Sequence, residues 1–460
     1  MLKKPLLTDA ELDAVSCLKD GAENYASVLT LPKQVTESPI TLGDGHEIQT
    51  TVPAPNCLTG RIVSFRVLTL ADAVKPVYSV NVEYERESSL GAGIGYEPGD
   101  SFGVYPELDE GTVAWLCSRL RLDQDRLLSM TSSSPGVLKA IFPLKGSQEF
   151  IACTAQELLA RLDFAGFPKK SQLRALADCC PLGSDDGWQL AFLSSQQGAS
   201  AYGRLRDEKF CVLDALAACG SLAPNLADVL RIVGPLQPRY YSCCSVDDGV
   251  GAKASFDFVF NVAEWDGGRK GVASGWLERK LLSGCYSGSL LPLVPRSIAH
   301  FRLPMPAQAA YRVLMIGAGT GVAPFVGFLR QKQRLGWCSL QTCLFFGFRN
   351  DSDFLFKDEL LAMKLDGTLN FFIESRSRDA CTAKRHVQDS LIEQQEFVCR
   401  WLNGTDTFIY ICGDELTMIK GVNDALQSIL RTVDGKTDKE AEAHLSCMAK
   451  ERRILRDIWI

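Results

Sequence analysis

Apolar and polar residues alternate with period two through RIVSFRVLTL (61–70) and YSVNVEYE (78–85), which predicts half-buried strands. Gly99-Asp100 signals a turn, and SFGVYP beyond it reads as another strand, closed by Pro106. Short strands with glycine and proline turns predict an antiparallel barrel or sandwich. From 107 to 232 the period changes. LDEGTVAWLCSRLRL, TAQELLARLDF, KKSQLRALADCC and KFCVLDALAACG all place apolar residues at helical spacing. Strand character returns from Arg239 to Ala263, clearest in FDFVFNVAEW, and the segment GVASGWLERKLL leads from a small-residue turn into a helix. The helical block is therefore expected as an insert in one β domain.

From Tyr311 onward, apolar runs (YRVLMIGA, TCLFFGF, LNFFIES, TFIYICG) alternate with helical segments (FVGFLRQKQRL, FKDELLAMK, RHVQDSLIEQQEFVCRWL, LTMIKGVNDALQSILR). Apolar strands alternating with helices predict a parallel α/β sheet. At the other end, Thr8 to Leu18 is expected as a short helix capped by Thr8 and Glu11, followed by a Pro- and Thr-rich lead-in. The expected organisation is a lead-in (1–54), a β domain in two pieces (55–106 and 233–305), a helical insert (107–232) and a parallel-sheet domain (306–460). The fold class is thus α+β followed by α/β.

Composition narrows the picture. A chain of 460 residues accommodates roughly three domains. With 46% hydrophobic and 23% charged residues, wholesale disorder is excluded. A net charge of −6 offers no basic footprint for nucleic acid. The 17 cysteines include no Cys-x-x-Cys pair, and His46, His300, His386 and His444 are scattered, so no metal site or redox dithiol is expected. Free thiols and an opening Met-Leu-Lys-Lys-Pro without a hydrophobic signal core point to the cytoplasm. The uncharged run 313–329 is too dense in glycine, with Pro324 besides, for a membrane span, and reads as strand, turn and helix start.

Six short motifs carry candidate chemistry. Gly317-Ala-Gly319-Thr320-Gly321-Val-Ala-Pro324 lies between a strand and a helix, where glycines admit a phosphate and a helix N-terminus supplies free N–H groups. Arg239-Tyr240-Tyr241-Ser242 offers a cation, an aromatic face and a hydroxyl on one strand, as a flavin site requires; alone, it fits a surface arginine beside a core tyrosine better. Gly271-Val272-Ala273-Ser274 opens a helix and fits either a second phosphate cradle or a simple capped turn. Cys412, in Tyr-Ile-Cys-Gly-Asp, sits at a strand's C-terminal end, where ligands bind in open α/β sheets, although burial is the default for a lone cysteine. Arg376, Arg378, Lys384 and Arg385 follow another strand and fit either a phosphate clamp or a solvated loop. Asp457-Ile-Trp459-Ile closes the chain with an aromatic residue next to last.

Taken in this order, the motifs resemble the ferredoxin–NADP reductase module of the diflavin reductases, over roughly residues 55 to 460. The connecting text FPKKSQLRALADCC and LSSQQGASAYGRLRD, with LFFGFRNDSDFLFKDEL and the DIW ending, is similar to the branch that reactivates cobalamin-bound methionine synthase. The resemblance implies an FAD-binding β-barrel with a helical connecting insert and a Rossmann-like NADP(H) domain. It implies that Arg239 binds the FAD pyrophosphate, that Tyr241 stacks on the flavin next to Tyr240, and that Gly271, Val272, Ala273 and Ser274 hold the pyrophosphate from the other side. Gly319, Thr320 and Gly321 would line the NADPH phosphates. Ser377, Arg378, Lys384, Arg385 and Gln388 would take its adenosine end, with Arg66 reaching the same cofactor. Ser242, Cys412 and Asp457 would form the hydride-transfer constellation, with Trp459 covering the flavin.

Electrons would leave for an FMN domain or flavodoxin-like partner and finally methionine synthase, with neither nucleic acid nor membrane involved. Another flavodoxin-like or haem acceptor, or a non-catalytic scaffold, are the alternatives. Gly421, His386 and Ile460 depart from the family's usual residues. A flavodoxin-like FMN domain of about 150 residues exceeds what residues 1 to 50 provide, so FMN is expected only on a missing or separate domain.

Overall fold

A computed structural model describes residues 5–20, 38–42, 47–50, 57–86, 94–132, 141–143, 150–265, 268–304, 311–378, 385–414 and 418–459. The chain divides into two compact units, residues 1–56 with 105–238 and residues 57–104 with 239–460.

The second unit begins with an antiparallel sheet. Its strands are β1 (Leu58–Val67), β2 (Val77–Glu85), β3 (Ser101–Val104), β4 (Arg239–Ser242), β5 (Lys253–Asn261) and, after helix α1 (Val272–Leu282), β6 (Leu290–Arg296). They run in the order β4-β3-β6-β1-β2-β5. An antiparallel bridge between Cys243 and Phe258 joins the two edge strands, so the sheet closes on itself. Closure leaves no exposed edge and directs one face of every strand inward. Val80, Val82, Phe102 and Phe256 fill that interior. The rings of Phe102 and Phe256 stack with centroids 3.9 Å apart.

A parallel sheet follows. Its elements are β7 (Arg312–Ala318), α2 (Ala323–Leu335), β8 (Gln341–Phe348), α3 (Lys357–Leu365), β9 (Phe371–Arg376), α4 (Val387–Glu393), α5 (Gln395–Leu402), β10 (Thr407–Asp414), α6 (Lys420–Asp434), α7 (Asp438–Lys450) and β11 (Ile454–Trp459). The strand order is β9-β8-β7-β10-β11, with every neighbouring pair parallel. Both faces are covered, which is why its strands read as continuous apolar runs. Along β7, Val313 and Met315 enter one core while Leu314 and Ile316 enter the other. The first of these cores also contains Val77, Cys244, Val259 and Phe301, so the barrel and the sheet share it. At this junction Gly327 of α2 lies against the Cys243 carbonyl, and a β-carbon there would come within 3.1 Å of that oxygen. Three residues later, Arg330 binds the Cys244 carbonyl at 2.6 Å and grips Glu359 with two further bonds.

The expected strands of both sheets are present, and β6, α7 and β11 go beyond the expectation. Residues 454–459 form a fifth parallel strand, and α7 precedes it. The glycine turn after β7 is itself one turn of 3-10 helix, Gly319–Val322.

In the first unit, helices Glu110–Arg119, Ala155–Leu159, Lys170–Asp178, Asp185–Ser194, Ala199–Asp207, Val212–Ala218 and Leu226–Ile232 bear out the helical pattern. The block is not wholly helical. Leu127–Ser132 and Phe150–Thr154 are strands, paired in one sheet with Ser38–Leu42 and Glu47–Thr50. Leu128 and Met130 are buried while Ser129 between them is exposed, a two-residue alternation too short to stand out among helical text. The first helix runs Asp9–Asp20, closed by the reciprocal Thr8–Glu11 cap, and Glu11 pairs with Arg204 at 2.7 Å. Among the described residues, no helix is long and apolar enough to cross a membrane.

Candidate active site

The parallel sheet changes direction between β7 and β10: the chain moves outward to β8 and β9, then returns to the opposite side of β7. In such a sheet the crevice at the strands' C-terminal ends, at the point of reversal, is where ligands bind. Gly317 of β7, Cys412 of β10 and Asp457 of β11 are register partners across it.

Strand period two puts Tyr410 and Cys412 on the face of β10 that meets the barrel, with Ile409 and Ile411 on the other. The Cys412 thiol is wholly buried and donates to Asp457 Oδ2 at 3.8 Å. Burial, reinforced by the Asp457 carboxylate, pushes this thiol well above its ordinary range, so it stays protonated and acts as a donor. The same Oδ2 accepts the Ser242 hydroxyl at 2.6 Å. Ser242 ends β4, so one carboxylate oxygen gathers a hydroxyl from the barrel and a thiol from the sheet.

Arg239 and Tyr240 at the start of β4 are exposed, and Tyr241 and Ser242 are half-buried. Tyr241 lies at 4.9 Å from Phe258, and burial raises its phenol, with Arg239 opposing. Arg296 stands 5.0 Å over the Tyr240 ring.

Gly271 is the N-cap of α1, whose first turn has no side-chain cap, leaving the Val272 and Ala273 N–H groups at an open helix end. A β-carbon on Gly271 would fall 2.9 Å from Ser274 Oγ and 3.2 Å from Ala263 Cβ, so only glycine leaves this cradle undistorted. Ser274 is turned inward, its hydroxyl accepting from the Ala263 N–H at 3.1 Å. This bond braces the turn, and the backbone N–H groups stand at its open end. Gly319 has φ +54, a conformation that favours glycine, and with Thr320 and Gly321 it forms a turn that also lacks a side-chain cap. These two uncapped helix starts fit diphosphate groups.

The expected adenosine-end residues are only partly gathered. Ser377 donates to the Phe348 carbonyl, and Arg378 is exposed beside Asp353. Burial raises Asp353, while Arg349 and Arg378 pull it back. Arg376 is committed to Asp351 and Glu374, and Arg385 to Glu393 at 2.9 Å. Lys384 lies outside the described residues. Gln388 leans over Gly421, where a β-carbon would meet its amide nitrogen at 3.2 Å. Arg66 is exposed on β1 with its guanidinium 5.8 Å from the Phe356 ring, which Arg330 also faces at 5.8 Å. Trp459 is in β11, paired with Asp414. Phe356 escaped the sequence reading: nothing local signals a non-glycine residue at φ +55.

The FAD binding domain family matches residues 53–276, and the oxidoreductase NAD-binding domain family matches residues 315–424. Mouse (Mus musculus) methionine synthase reductase is 33% identical over 98% of this chain and 68% of its own length. The chain belongs to the diflavin reductase family. Human (Homo sapiens) methionine synthase reductase is 33% identical over 85% of this chain, and the NADPH–cytochrome P450 reductase of Dictyostelium discoideum is 31% identical over 81%. The chain spans 59% of the human relative and 55% of the Dictyostelium one. This membership makes FAD and NADPH the cofactors of the two matched domains, which are those of an NADPH-dependent flavin oxidoreductase.

Proposed function

We propose that the chain takes hydride from NADPH onto FAD and passes the electrons to an FMN-bearing domain or flavodoxin-like partner, with methionine synthase as final acceptor. The observation that carries this reading is the single Asp457 oxygen shared by the Ser242 hydroxyl at 2.6 Å and the Cys412 thiol at 3.8 Å.

FAD supplies the ability to accept a hydride and release electrons singly. The chain's own residues supply binding, orientation and charge. Arg239 offers its guanidinium to the FAD diphosphate, and the Val272 and Ala273 N–H groups offer theirs from the cradle at Gly271 and Ser274. Tyr241, with Tyr240 beside it, gives an aromatic surface to the ring system. Gly319, Thr320 and Gly321 take the NADPH diphosphate, assisted by Arg66. Ser377, Arg378, Lys384, Arg385 and Gln388 take the adenosine end. Asp457, partly withdrawn from water, favours the positive charge that grows on nicotinamide as hydride leaves, while Ser242 and Cys412 hold that carboxylate in place. Trp459 would cover the flavin face and would have to give way for nicotinamide, a role as a gate.

Methionine synthase is preferred as acceptor because the likeness to methionine synthase reductases extends over 98% of the chain for the mouse protein. The similarity to cytochrome P450 reductases supports a second reading, with a haem protein as acceptor. The exposed Cys17, Cys285, Cys338 and Cys447 carry thiols, which supports a reducing cytoplasm. Rapid mixing of the FAD-loaded protein with NADPH tests the entry step. Comparing reduction of methionine synthase, a haem protein and an FMN domain then tests the exit.

A further inference from the structure

The two halves of the hydride site come from different sheets, Ser242 from the barrel and Cys412 with Asp457 from the parallel sheet. A hydroxyl–carboxylate bond of 2.6 Å between them requires the sheets to be held in fixed register. We infer that Asp100, Arg302 and Tyr410 form the relay that sets this register, and that they are positioning residues for hydride transfer. The inference rests on the function proposed above.

The relay can be followed bond by bond. The Asp100 carbonyl accepts the Cys243 N–H at 2.9 Å, one residue from Ser242, and the next residue, Ser101, is the register partner of Ser242 itself. Its carboxylate is buried, with 4% exposure. It accepts from the Ile298 N–H at 2.7 Å, the Glu97 N–H at 3.0 Å, and Arg302 Nη2 at 2.8 and 3.0 Å. The Arg302 guanidinium also binds Glu97 and the Ser297 hydroxyl.

From Arg302 the path crosses to the parallel sheet, where its carbonyl accepts the Tyr410 hydroxyl. Tyr410 is fully buried, and Phe301 and Phe328 pack edge-on against its ring at 5.3 and 5.1 Å. It precedes Cys412 by two residues on the same strand and the same face.

The crossing leaves no slack. Gly99 has φ +98, and a β-carbon there would lie 1.7 Å from the Phe301 carbonyl oxygen, so this backbone contact excludes any other residue. A buried carboxylate held by two N–H groups and a guanidinium is far costlier to disturb than a surface pair. The three relay residues reach the site through the backbone next to Ser242 and the strand that carries Cys412, so they act through backbone position. A displacement near 1 Å at a hydride-transfer site costs about a hundredfold in rate.

The experiment uses the FAD-loaded protein and variants Asp100→Asn and Tyr410→Phe. Asp100→Asn keeps a hydrogen-bonding side chain and removes the charge facing Arg302. Tyr410→Phe removes one hydroxyl from a ring whose packing is otherwise retained. Rapid-mixing measurements with NADPH and with 4-deuterated NADPH give the hydride-transfer rate and its isotope effect, while FAD content and NADP+ affinity are measured separately. The expected result is a rate at least about tenfold lower, with an altered isotope effect, in both variants at unchanged FAD content and NADP+ affinity. Wild-type rate and isotope effect in Tyr410→Phe would overturn the inference, whatever becomes of Asp100→Asn. So would slowing that merely tracks loss of FAD. A wild-type protein that NADPH does not reduce would instead refute the function on which the inference rests.

Discussion

The Ser242 hydroxyl donates to Asp457 Oδ2 at 2.6 Å across 215 residues of chain. The bond joins the end of a barrel strand to the final strand of the parallel sheet, and it places an anion at the crevice where the strand order reverses. Asp457→Asn preserves an acceptor for Ser242 and removes the charge. Flavin reduction by NADPH should fall by about two orders of magnitude in this variant, with FAD still bound. Rapid-mixing absorbance measures it, and an unchanged rate would show that the charge does not assist hydride departure.

The buried Cys412 thiol is held well above its ordinary range by burial and by Asp457. It should remain a thiol throughout neutral and mildly alkaline pH. Iodoacetamide should therefore leave Cys412 unmodified in the folded protein while labelling the exposed Cys17, Cys285, Cys338 and Cys447, as read by peptide mass. Cys412→Ser should retain more hydride transfer than Cys412→Ala, because serine keeps a donor for the carboxylate.

Gly271 leaves 2.9 Å between an added β-carbon and Ser274 Oγ. Gly271→Ala must push the Ser274 hydroxyl from the Ala263 N–H and distort the first turn of α1. The expected result is FAD affinity weakened about tenfold, read by flavin fluorescence during reconstitution, with little change in NADP+ affinity, since the Gly319 turn is untouched.

Lys332 gives a stability effect separate from catalysis. Its ammonium is buried beneath α2 and bonded to Thr342 Oγ1, the Thr368 carbonyl and Asn370 Oδ1. None of these is an anion, and burial lowers its pKa from 10.5 to about 8. Between those values the folded amine has shed its proton while the unfolded one keeps it, so this group makes folding stability rise with pH across that window. Lys332→Met should flatten the rise in denaturation midpoint between about pH 8 and 10.5, relative to the wild type.

Much of this architecture was legible in the chain. Period-two alternation located β1 and β2, and the apolar runs located β7 to β10, because burial on one face or two leaves a direct imprint on sequence. The Gly-rich segment after β7 was legible because φ +54 at Gly319 is a conformation that glycine adopts more readily than other residues. The final strand was not, since Ile454–Trp459 mixes Arg456 and Asp457 among its apolar residues and lies on the sheet's edge. Without that strand, Asp457 and Cys412 could not be recognised as register partners.

The Asp100–Arg302 pair was equally hidden. Gly99-Asp100 reads as an ordinary turn, and no local signal ties it to an arginine 202 residues away. Long-range pairing is decided by topology, and sequence period carries no record of it. The basic cluster after β9 shows the converse. Four cations close in sequence suggested one clamp, and Arg376 and Arg385 each also pair with a neighbouring acid, a competition that composition does not reveal.

The most direct measurement is anaerobic addition of NADPH to the FAD-reconstituted protein while its visible absorption is followed and its flavin is extracted and identified. The expected result is bound FAD, bleached by one equivalent of NADPH. A protein that retains no FAD, or whose FAD band is unaffected by NADPH, would contradict it.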